Sequence, residues 1–359
     1  MKKRRPAPSA AITLREVAAK AGVSLNTASR ALTGKPDVNR QTKARVLALA
    51  QKLGYSPNHL ARSLVRGRTQ TVGLVVTDCT DPFYASLIRA VEGVLSRNGF
   101  SLLLATSNED TQKENGALSM LRERRVDGLL LTPVDVEAGH LDGFLGGALP
   151  IVLVGRRPAG YKGPFVGVDN VTGGALMTRH LIGLGHRDIA HFTRRDKASS
   201  ARERLLGYRT ALKEAGIPFR PNLVHSLPPS TAGGRTGASA IFDSVPRPSA
   251  VFTYNDSQAV GLLLQLLEAG IRVPDDLSIG GFDDIELGTL VRPLLTTIAQ
   301  PIREIGEQSA QILIDMVQEK SEGASILLPP ILVARDSAAL RSQADALSRR
   351  RVKPGTGAR

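Results

Sequence analysis

Cysteine is almost absent from this sequence of 359 residues, in which Cys79 is the only one. A lone cysteine forms no intrachain disulfide and supplies no cysteine cluster for zinc. The length still permits two or three compact units, each with its own buried core.

Long apolar runs are missing as well. No stretch approaches the roughly 20 apolar residues of a membrane span. The basic start MKKRRPAPSAAIT is not followed by the apolar segment of a secretory signal. We therefore expect a cytoplasmic protein without a membrane partner.

Signatures of common catalytic and nucleotide sites are also lacking. We find no G-x-S-x-G elbow, no Walker A sequence and no G-x-G-x-x-G after a strand. His180, His186 and His191 are six and five residues apart, so no pair shares a helical turn and we expect no metal site. Asp283 and Asp284 follow a predicted strand without an accompanying nucleophile. The sequence predicts a protein that is not an enzyme, with no catalytic residues and no cofactor.

Acidic residues are scarce near both ends of the chain. Residues 1–68 contain 15 Lys and Arg against two acids, and residues 341–359 are also basic, within a net charge of +14. The stretch between them is therefore mildly acidic. A basic segment on an acidic body indicates a polyanionic partner for that segment. Charge alone does not distinguish a nucleic acid from an anionic membrane surface.

Residues 13–53 have the pattern of a helical unit. Thr13 and Glu16 form a capping box that starts a first helix, and Gly22 favours the left-handed conformation that ends it. A second helix follows Ser24 and keeps small residues on its buried side. Its outward face carries Leu25, Asn26, Ser29 and Arg30. The pattern predicts a helix-turn-helix with a supporting third helix, although a three-helix bundle with a solvated polar face has the same pattern.

The stretch YSPNHLARSLVRGR, residues 55–68, predicts a short hinge helix. Pro57 suits the first helical position, and the two or three turns before Gly67 are marginal alone in water. Its arginines suit phosphates, while Leu64 has no obvious core to enter. Folding on a polyanion with an apolar wedge fits minor-groove insertion. The plain alternative is a charged linker with one stray leucine.

The run TLREVAAKAGVSLNTASRAL, followed by VNRQTKARVLALAQKLGYSPNHLARSL, resembles the DNA-binding domain of the lactose-repressor family of bacterial transcription regulators. The similarity continues to about residue 336. It implies a homodimer whose second helices enter successive major grooves of a palindromic double-stranded operator. The two hinge helices are expected to enter the central minor groove together.

The resemblance also assigns roles to single residues. Leu25 and Asn26, with Arg30, are expected to select bases, because asparagine pairs bidentately with adenine, arginine with guanine, and leucine can touch a thymine methyl. Phosphate contacts are expected from Ser24, Thr27 and Ser29. In the hinge the expected DNA contacts are Asn58, Arg62 and the intercalating Leu64.

Short apolar runs alternate with amphipathic helices through residues 69–336. Strands are predicted near 71–77, 101–106, 128–132, 151–155, 189–193, 250–254 and 278–282. Helices are predicted near 83–97, 112–124, 174–184, 203–215, 257–269 and 302–319. Two rounds of buried parallel strands give an α/β body of two doubly wound sheets. This resembles the two-lobed periplasmic-binding-protein-like sensor of the family, with crossings near Val168, Ile298 and Leu328.

Polar residues follow the predicted strands, where ligands of such sheets collect. The family's effector contacts map onto Phe83, Arg156, Arg204, Asn255, Asp283 and Gln300. Arg204 and Asp283 together could bracket a polyol or an acid. The alternative is that this pair closes the two lobes without touching a ligand.

This sequence departs from the family's sugar-binding pattern at two places. Gly155 stands where sugar-binding members often carry an aspartate, and residues 228–230 lack the aromatic that often stacks on the effector. Arg156 and Arg204 then leave an arginine-rich site, which favours a carboxylate or a phosphate. The effector class is therefore a sugar, a polyol or a sugar acid.

The expected domain organisation has five parts. These are a disordered basic arm (1–12), a helix-turn-helix DNA-binding domain (13–55), a hinge helix (56–68), a two-lobed effector-binding and dimerisation domain (69–336) and a disordered basic tail (337–359). The tail lacks the leucine heptads of a coiled coil, so we expect a dimer. The sequence predicts a ligand-controlled transcription repressor. Two alternatives are a solute-binding protein with an incidental basic segment and a sugar-processing enzyme with an appended basic module.

Overall fold

The computed structural model describes residues 12–32, 37–55, 68–135, 139–194 and 198–341. The chain divides between Thr69 and Gln70 into two compact units. We call the unit up to Thr69 the head unit and the unit from Gln70 the body unit. The hinge predicted at 56–68 lies almost entirely outside the described residues.

The head unit is helical, with α1 (Leu14–Ala21), α2 (Leu25–Leu32) and α3 (Arg40–Lys52). The predicted capping box is confirmed: the Glu16 carboxylate accepts from the Thr13 backbone N–H at 2.6 Å, and the Thr13 hydroxyl accepts from the Glu16 N–H. Gly22 ends α1 with φ of 62°, a conformation that favours glycine. Small side chains let the helices approach closely, and the core contains Val17, Ala18, Ala21, Ala28, Ala31, Val46 and Ala50.

The first lobe of the body unit, the N-lobe, has a six-stranded parallel sheet within the described residues, in the order β11-β5-β4-β3-β1-β2. Its strands are β1 (Thr71–Val76), β2 (Ser101–Thr106), β3 (Gly128–Leu131), β4 (Ile151–Val154), β5 (Phe165–Val168) and β11 (Ser325–Leu328). Its α-helices are α4 (Pro82–Arg97), α5 (Thr111–Glu123), α6 (Asp142–Leu145) and α12 (Ile302–Val317), with a 3₁₀ turn at Gly139–Leu141. Continuous apolar strands between helices give buried layers on both faces of the sheet.

The second lobe, the C-lobe, has a four-stranded parallel sheet in the order β7-β6-β8-β9. Its strands are β6 (Ile189–Thr193), β7 (Val224–Ser226), β8 (Ala250–Phe252) and β9 (Ser278–Gly280). Its helices are α7 (Asn170–Gly183), α8 (Ser199–Glu214), α9 (Thr231–Asp243), α10 (Asp256–Glu268) and α11 (Leu287–Leu290), with a 3₁₀ turn at Pro221–Leu223. The two doubly wound sheets are confirmed.

The chain passes between the lobes after β5, after β10 (Thr297–Ala299) and after β11. β10 pairs antiparallel with β12 (Ile331–Val333). These passages agree with the crossings predicted near Val168, Ile298 and Leu328. Two lobes joined by several strands place the carboxyl ends of both parallel sheets around one cleft.

Two helices begin earlier than predicted. α7 starts at Asn170, because the Asp169 carboxylate accepts from the Thr172 N–H at 3.0 Å and caps the helix. The sequence placed the start near Gly174, but this glycine lies inside α7, where α8 packs so closely that a Cβ would lie 2.4 Å from the Arg204 carbonyl oxygen. α8 likewise begins at Ser199, not near 203.

The predicted start of the tail at 337 is too early. Ser337 is fully buried, and its hydroxyl accepts from the Thr296 N–H at 2.8 Å and donates to the Ile279 carbonyl at 2.6 Å. Arg341 still donates its N–H to the Leu184 carbonyl at 2.8 Å. Residues 337–341 are therefore part of the C-lobe, and the tail prediction concerns 342–359, outside the described residues.

Candidate functional site

The helix α2 begins directly after Ser24, whose side chain bonds to its first turn. The Ser24 hydroxyl accepts from the Thr27 N–H at 3.1 Å and lies 2.9 Å from the Thr27 hydroxyl. Because Ala28 and Ala31 are buried in the head core, the opposite side of the helix faces out. There Leu25 is 45% exposed and Asn26 is exposed. An exposed leucine beside an exposed amide is a surface that can read the edges of bases.

Arg30, predicted to read bases, forms an ion pair with Asp37 in the head unit. Both side chains are nearly half exposed, so the pair contributes little to stability, and Arg30 can exchange Asp37 for another acceptor. Ser29 on the same helix is half-buried. Asn58, Arg62 and Leu64, the predicted hinge contacts, lie outside the described residues.

In the body unit a cavity of about 310 Å³ opens between the lobes. Strand ends from both sheets supply its walls: Thr77 follows β1, Thr132 follows β3, and Arg194 follows β6. Every residue predicted to contact an effector lines this cavity, namely Phe83, Arg156, Arg204, Asn255, Asp283 and Gln300. The volume suits a small molecule of the size of a sugar.

The N-lobe wall contains the start of α4. Asp81 caps this helix by accepting from the Phe83 N–H at 2.9 Å, and burial raises the pKa of its carboxyl group. Phe83 packs edge to face on Tyr84, with ring centroids 5.0 Å apart. The buried Thr132 hydroxyl has no hydrogen-bond partner among the described residues. A buried polar atom without a partner indicates a place for a ligand or water.

The C-lobe wall is built around Arg204 on α8. Its Nε donates to Asn170 Oδ1 at 2.9 Å, and Nη1 donates to the Tyr254 carbonyl. Its guanidinium lies 3.6 Å from the Phe282 ring centroid and 3.7 Å from Asp283 Oδ1. Arg204 and Asp283 both belong to the C-lobe, so the alternative in which this pair closes the two lobes is wrong.

The loop that carries Asp283 is held in a rare conformation. Asp283 has φ of 123° and Asp284 has φ of 58°, which is strained for residues other than glycine. Gln300 Nε2 donates to Asp283 Oδ1 at 2.6 Å. Burial raises the pKa of Asp283 well above its ordinary value, although Arg204 acts in the opposite direction.

Asp256, which follows a predicted strand in the run TYND but was not among the predicted effector contacts, anchors the same loop. It accepts from the Thr297 hydroxyl at 2.6 Å and from the Ile285 N–H at 3.0 Å. Burial raises its pKa to about 6. No local sequence signal separates this aspartate from an ordinary residue of a helix first turn.

Most hydrogen bonds of the Asn255 side-chain amide stabilise the fold of the C-lobe. Its Oδ1 accepts from the Gln258 N–H at 2.9 Å, which caps α10, and its Nδ2 donates to the Pro229 carbonyl at 3.1 Å. The amide keeps one further donor and one lone pair for a ligand. Asn255 therefore positions the wall of the cavity as well as lining it.

Sequence reasoning missed Glu109, which follows β2 and also lines the cavity. Arg156 donates Nη1 to Glu109 Oε2 and Nη2 to Oε1, both at 3.2 Å. Arg194, from the C-lobe, approaches the same oxygens at 3.0 and 2.6 Å. Burial alone would raise the pKa of Glu109, but the two guanidinium groups outweigh it and hold the pKa well below its ordinary value. Its position after a strand was the only available signal.

The described residues contain neither a candidate metal site nor a candidate membrane span. No group of three His, Cys, Asp or Glu side chains there could hold a metal ion. In the same part of the chain, no helix combines the length and the apolar character needed to cross a membrane.

Comparison with known proteins covers both units. The family "Bacterial regulatory proteins, lacI family" matches residues 13–58, and "Periplasmic binding protein-like domain" matches residues 178–338. The ribose operon repressor of Escherichia coli (strain K12) is 36% identical over 328 residues, which are 91% of this chain and 99% of the relative. The HTH-type transcriptional repressor PurR of Photobacterium profundum is 35% identical over 327 residues, 90% and 98% of the two chains.

Solved structures show the same similarity. The lac repressor dimer bound to operator and an anti-inducer matches with a TM-score of 0.84 at 26% identity, over 92% of this chain and 99% of that one. The transcriptional regulator CelR in complex with cellobiose matches with a TM-score of 0.69 at 32% identity, over 91% of this chain and 100% of that one. These relatives are regulators of transcription.

Proposed function

Because this chain belongs to the lacI family of bacterial regulatory proteins, we propose that it is a transcription repressor that binds operator DNA and is controlled by a small hydroxylated molecule. The observation that carries the proposal is α2, which buries Ala28 and Ala31 and leaves Leu25 and Asn26 exposed. The basic charge of residues 1–68 supplies the attraction for phosphates.

In the proposed complex, α2 and the preceding Ser24 make two kinds of DNA contact, to base edges and to phosphates. Leu25, Asn26 and Arg30 contact base edges, with Arg30 leaving Asp37 to do so. Ser24, Thr27 and Ser29 contact phosphates, and the hydroxyls of Ser24 and Thr27 also start the helix. The hinge contacts Asn58, Arg62 and Leu64 remain predictions from the sequence.

The proposed effector site is the cavity between the lobes. Asp283, Gln300 and the Thr132 hydroxyl offer donors and acceptors that suit hydroxyl groups, and Phe83 offers an apolar face. One of the related structures holds cellobiose, which supports a carbohydrate. A ligand bound between the lobes stabilises one arrangement of the two lobes. The factor by which it changes the affinity of the protein for DNA equals the factor by which DNA changes the affinity of the protein for the ligand.

We propose a homodimer on the basis of exposed apolar side chains. The strand β2 is an edge of the N-lobe sheet, and Leu104 on it is 43% exposed. On the C-lobe, Leu264 and Leu267 of α10 and Leu290 of α11 are exposed as well, the last at 69%. Apolar surface on an edge strand is typical of a protein interface. The related lac repressor structure is a dimer.

The two rival functions are less well supported. A solute-binding protein or a sugar-processing enzyme would not need the lacI-family region at 13–58, and the curated relatives reported above are regulators. We therefore propose a cytoplasmic DNA-binding protein without catalytic activity, cofactor or membrane partner. A catalytic turnover that disappears in Asp283→Asn would favour the enzyme instead.

Selection of bound duplexes from a random DNA pool tests the proposal. The purified full-length protein should enrich a palindrome, and Asn26→Ala should weaken binding to that palindrome by about 5- to 150-fold, as expected for loss of one bidentate base contact. Gln51→Ala, an exposed amide on α3, is the matched control and should bind like the wild type. Enrichment of no sequence would contradict the proposal.

A further inference from the structure

The Glu109 carboxylate lies in a position shaped for an oxyanion. Both of its oxygens contact the terminal nitrogens of Arg156 and of Arg194, at 2.6 to 3.2 Å. Two parallel contacts per arginine form the bidentate arrangement that is strongest for carboxylates and phosphates. A structural ion pair requires only one guanidinium group, whereas two guanidinium groups bind this single carboxylate bidentately.

The two forks come from opposite lobes and are hidden from water. Arg156 follows β4 in the N-lobe and is 6% exposed, whereas Arg194 follows β6 in the C-lobe and is 9% exposed. Guanidinium groups stay charged, and buried charges are costly unless they are paired. Without Glu109 these arginines would be left as a cationic pair open to the cavity. The Glu109 side chain is 29% exposed, more than either arginine, and it lines the cavity with them.

The remaining charges in the cavity give an anion little to bind. Arg204 is occupied by Asn170, the Tyr254 carbonyl and Asp283. Asp81 is a further acid in the lining, and an incoming carboxylate would meet it without finding a free guanidinium fork. Uncharged hydroxyls can instead bond to the Thr132 hydroxyl and to the side-chain oxygen of Gln300, whose Nε2 binds Asp283.

We propose that Glu109 sets the charge of the effector: it fills the oxyanion position between Arg156 and Arg194, so that the cavity accepts uncharged hydroxylated ligands and excludes acids. This rests on the proposed function, in which the cavity binds the effector. It reverses the expectation from the sequence, in which Arg156 and Arg204 formed an arginine-rich site that favours a carboxylate or a phosphate. It also makes Glu109 one of the contacts between the lobes, because its carboxylate binds an arginine from each.

The test removes the carboxylate and offers an anion in its place. Full-length wild type and Glu109→Ala are unfolded thermally in 10 mM inorganic phosphate and in sodium chloride of equal ionic strength. The variant should gain about 3 °C or more from phosphate, the shift expected when a ligand is well above its Kd, while the wild type gains no more than from chloride. Glu109→Ala combined with Arg194→Met should lose the gain, since one fork is then missing.

Glu214→Ala is the matched control, because Glu214 also pairs bidentately with an arginine, Arg179, at 2.8 and 3.0 Å. That pair is about half exposed and has one fork, so its removal should create no phosphate response. If Glu109→Ala does not fold, Glu109→Gln, which keeps the shape, should show a smaller gain of the same sign.

Two results would overturn the inference: a phosphate response of the wild type equal to that of the Glu109 variants, or none in either folded variant. Neither result depends on an operator or an effector being found. Failure of this inference and failure of the proposed function are therefore distinguishable.

Discussion

Replacing Arg204 by methionine should test how the C-lobe wall is held together. Arg204 is buried, its Nε and Nη1 bond to Asn170 and to the Tyr254 carbonyl, and its guanidinium lies against Phe282. Methionine retains most of the apolar volume but leaves two buried acceptors without donors. Each such loss costs about 1–3 kcal/mol, so the two together cost about 2–6 kcal/mol.

A loss of about 4 kcal/mol in the free energy of unfolding corresponds to a fall of roughly 10 °C in the melting temperature of a domain of this size. Calorimetry of the full-length protein would measure it. Arg209→Met is the control on the same helix: Arg209 is exposed and stacks on Phe219, with 4.3 Å between guanidinium carbon and ring centroid. That change should cost less than about 1 kcal/mol. Equal losses in the two variants would refute the reasoning about Arg204.

Three further predictions follow from single contacts. Burial raises the pKa of the Asp256 carboxyl group to about 6. The protonated group therefore contributes to folding at low pH, and this contribution is lost as the pH rises through 6. Urea unfolding should show that the free energy of unfolding of wild type, relative to Asp256→Asn, increases by about 1 kcal/mol from pH 7 to pH 5. Gly207→Ala should lower the yield of folded protein, since a Cβ would lie 2.1 Å from the Val171 carbonyl. Leu64→Ala should weaken specific DNA binding far more than non-specific binding in a titration, and equal losses on both DNAs would exclude minor-groove insertion.

Local signals in the sequence predicted local structure well. Thr13 and Glu16 were three residues apart before a helical pattern, and the structure has the capping box there. Polar residues after apolar strands were expected at one edge of each sheet, and every residue predicted to contact an effector lines the cavity. In both cases the outcome depends on neighbours in sequence or on the regular geometry of parallel sheets.

What the sequence did not show depends on contacts between distant segments. The role of Glu109 depends on Arg156 and Arg194, which both bind its carboxylate, and the sequence near residue 109 does not predict these contacts. Gly174 was taken for a helix start, whereas its role is the close approach of α8. β7 has the residues Val224–Ser226 and is only partly buried, so the sequence shows no apolar run there.

The central claim is that a ligand in the cavity changes the affinity for DNA, and one titration tests it most directly. The selected palindrome is titrated with wild-type protein, with and without the compound from a panel of uncharged sugars that most raises the melting temperature. We predict that the compound changes the Kd for the palindrome by about 5- to 150-fold, the usual range of coupling between two sites. We also predict that Arg204→Met reduces this change. A compound that stabilises the protein and leaves its affinity for the palindrome unaltered would contradict the account.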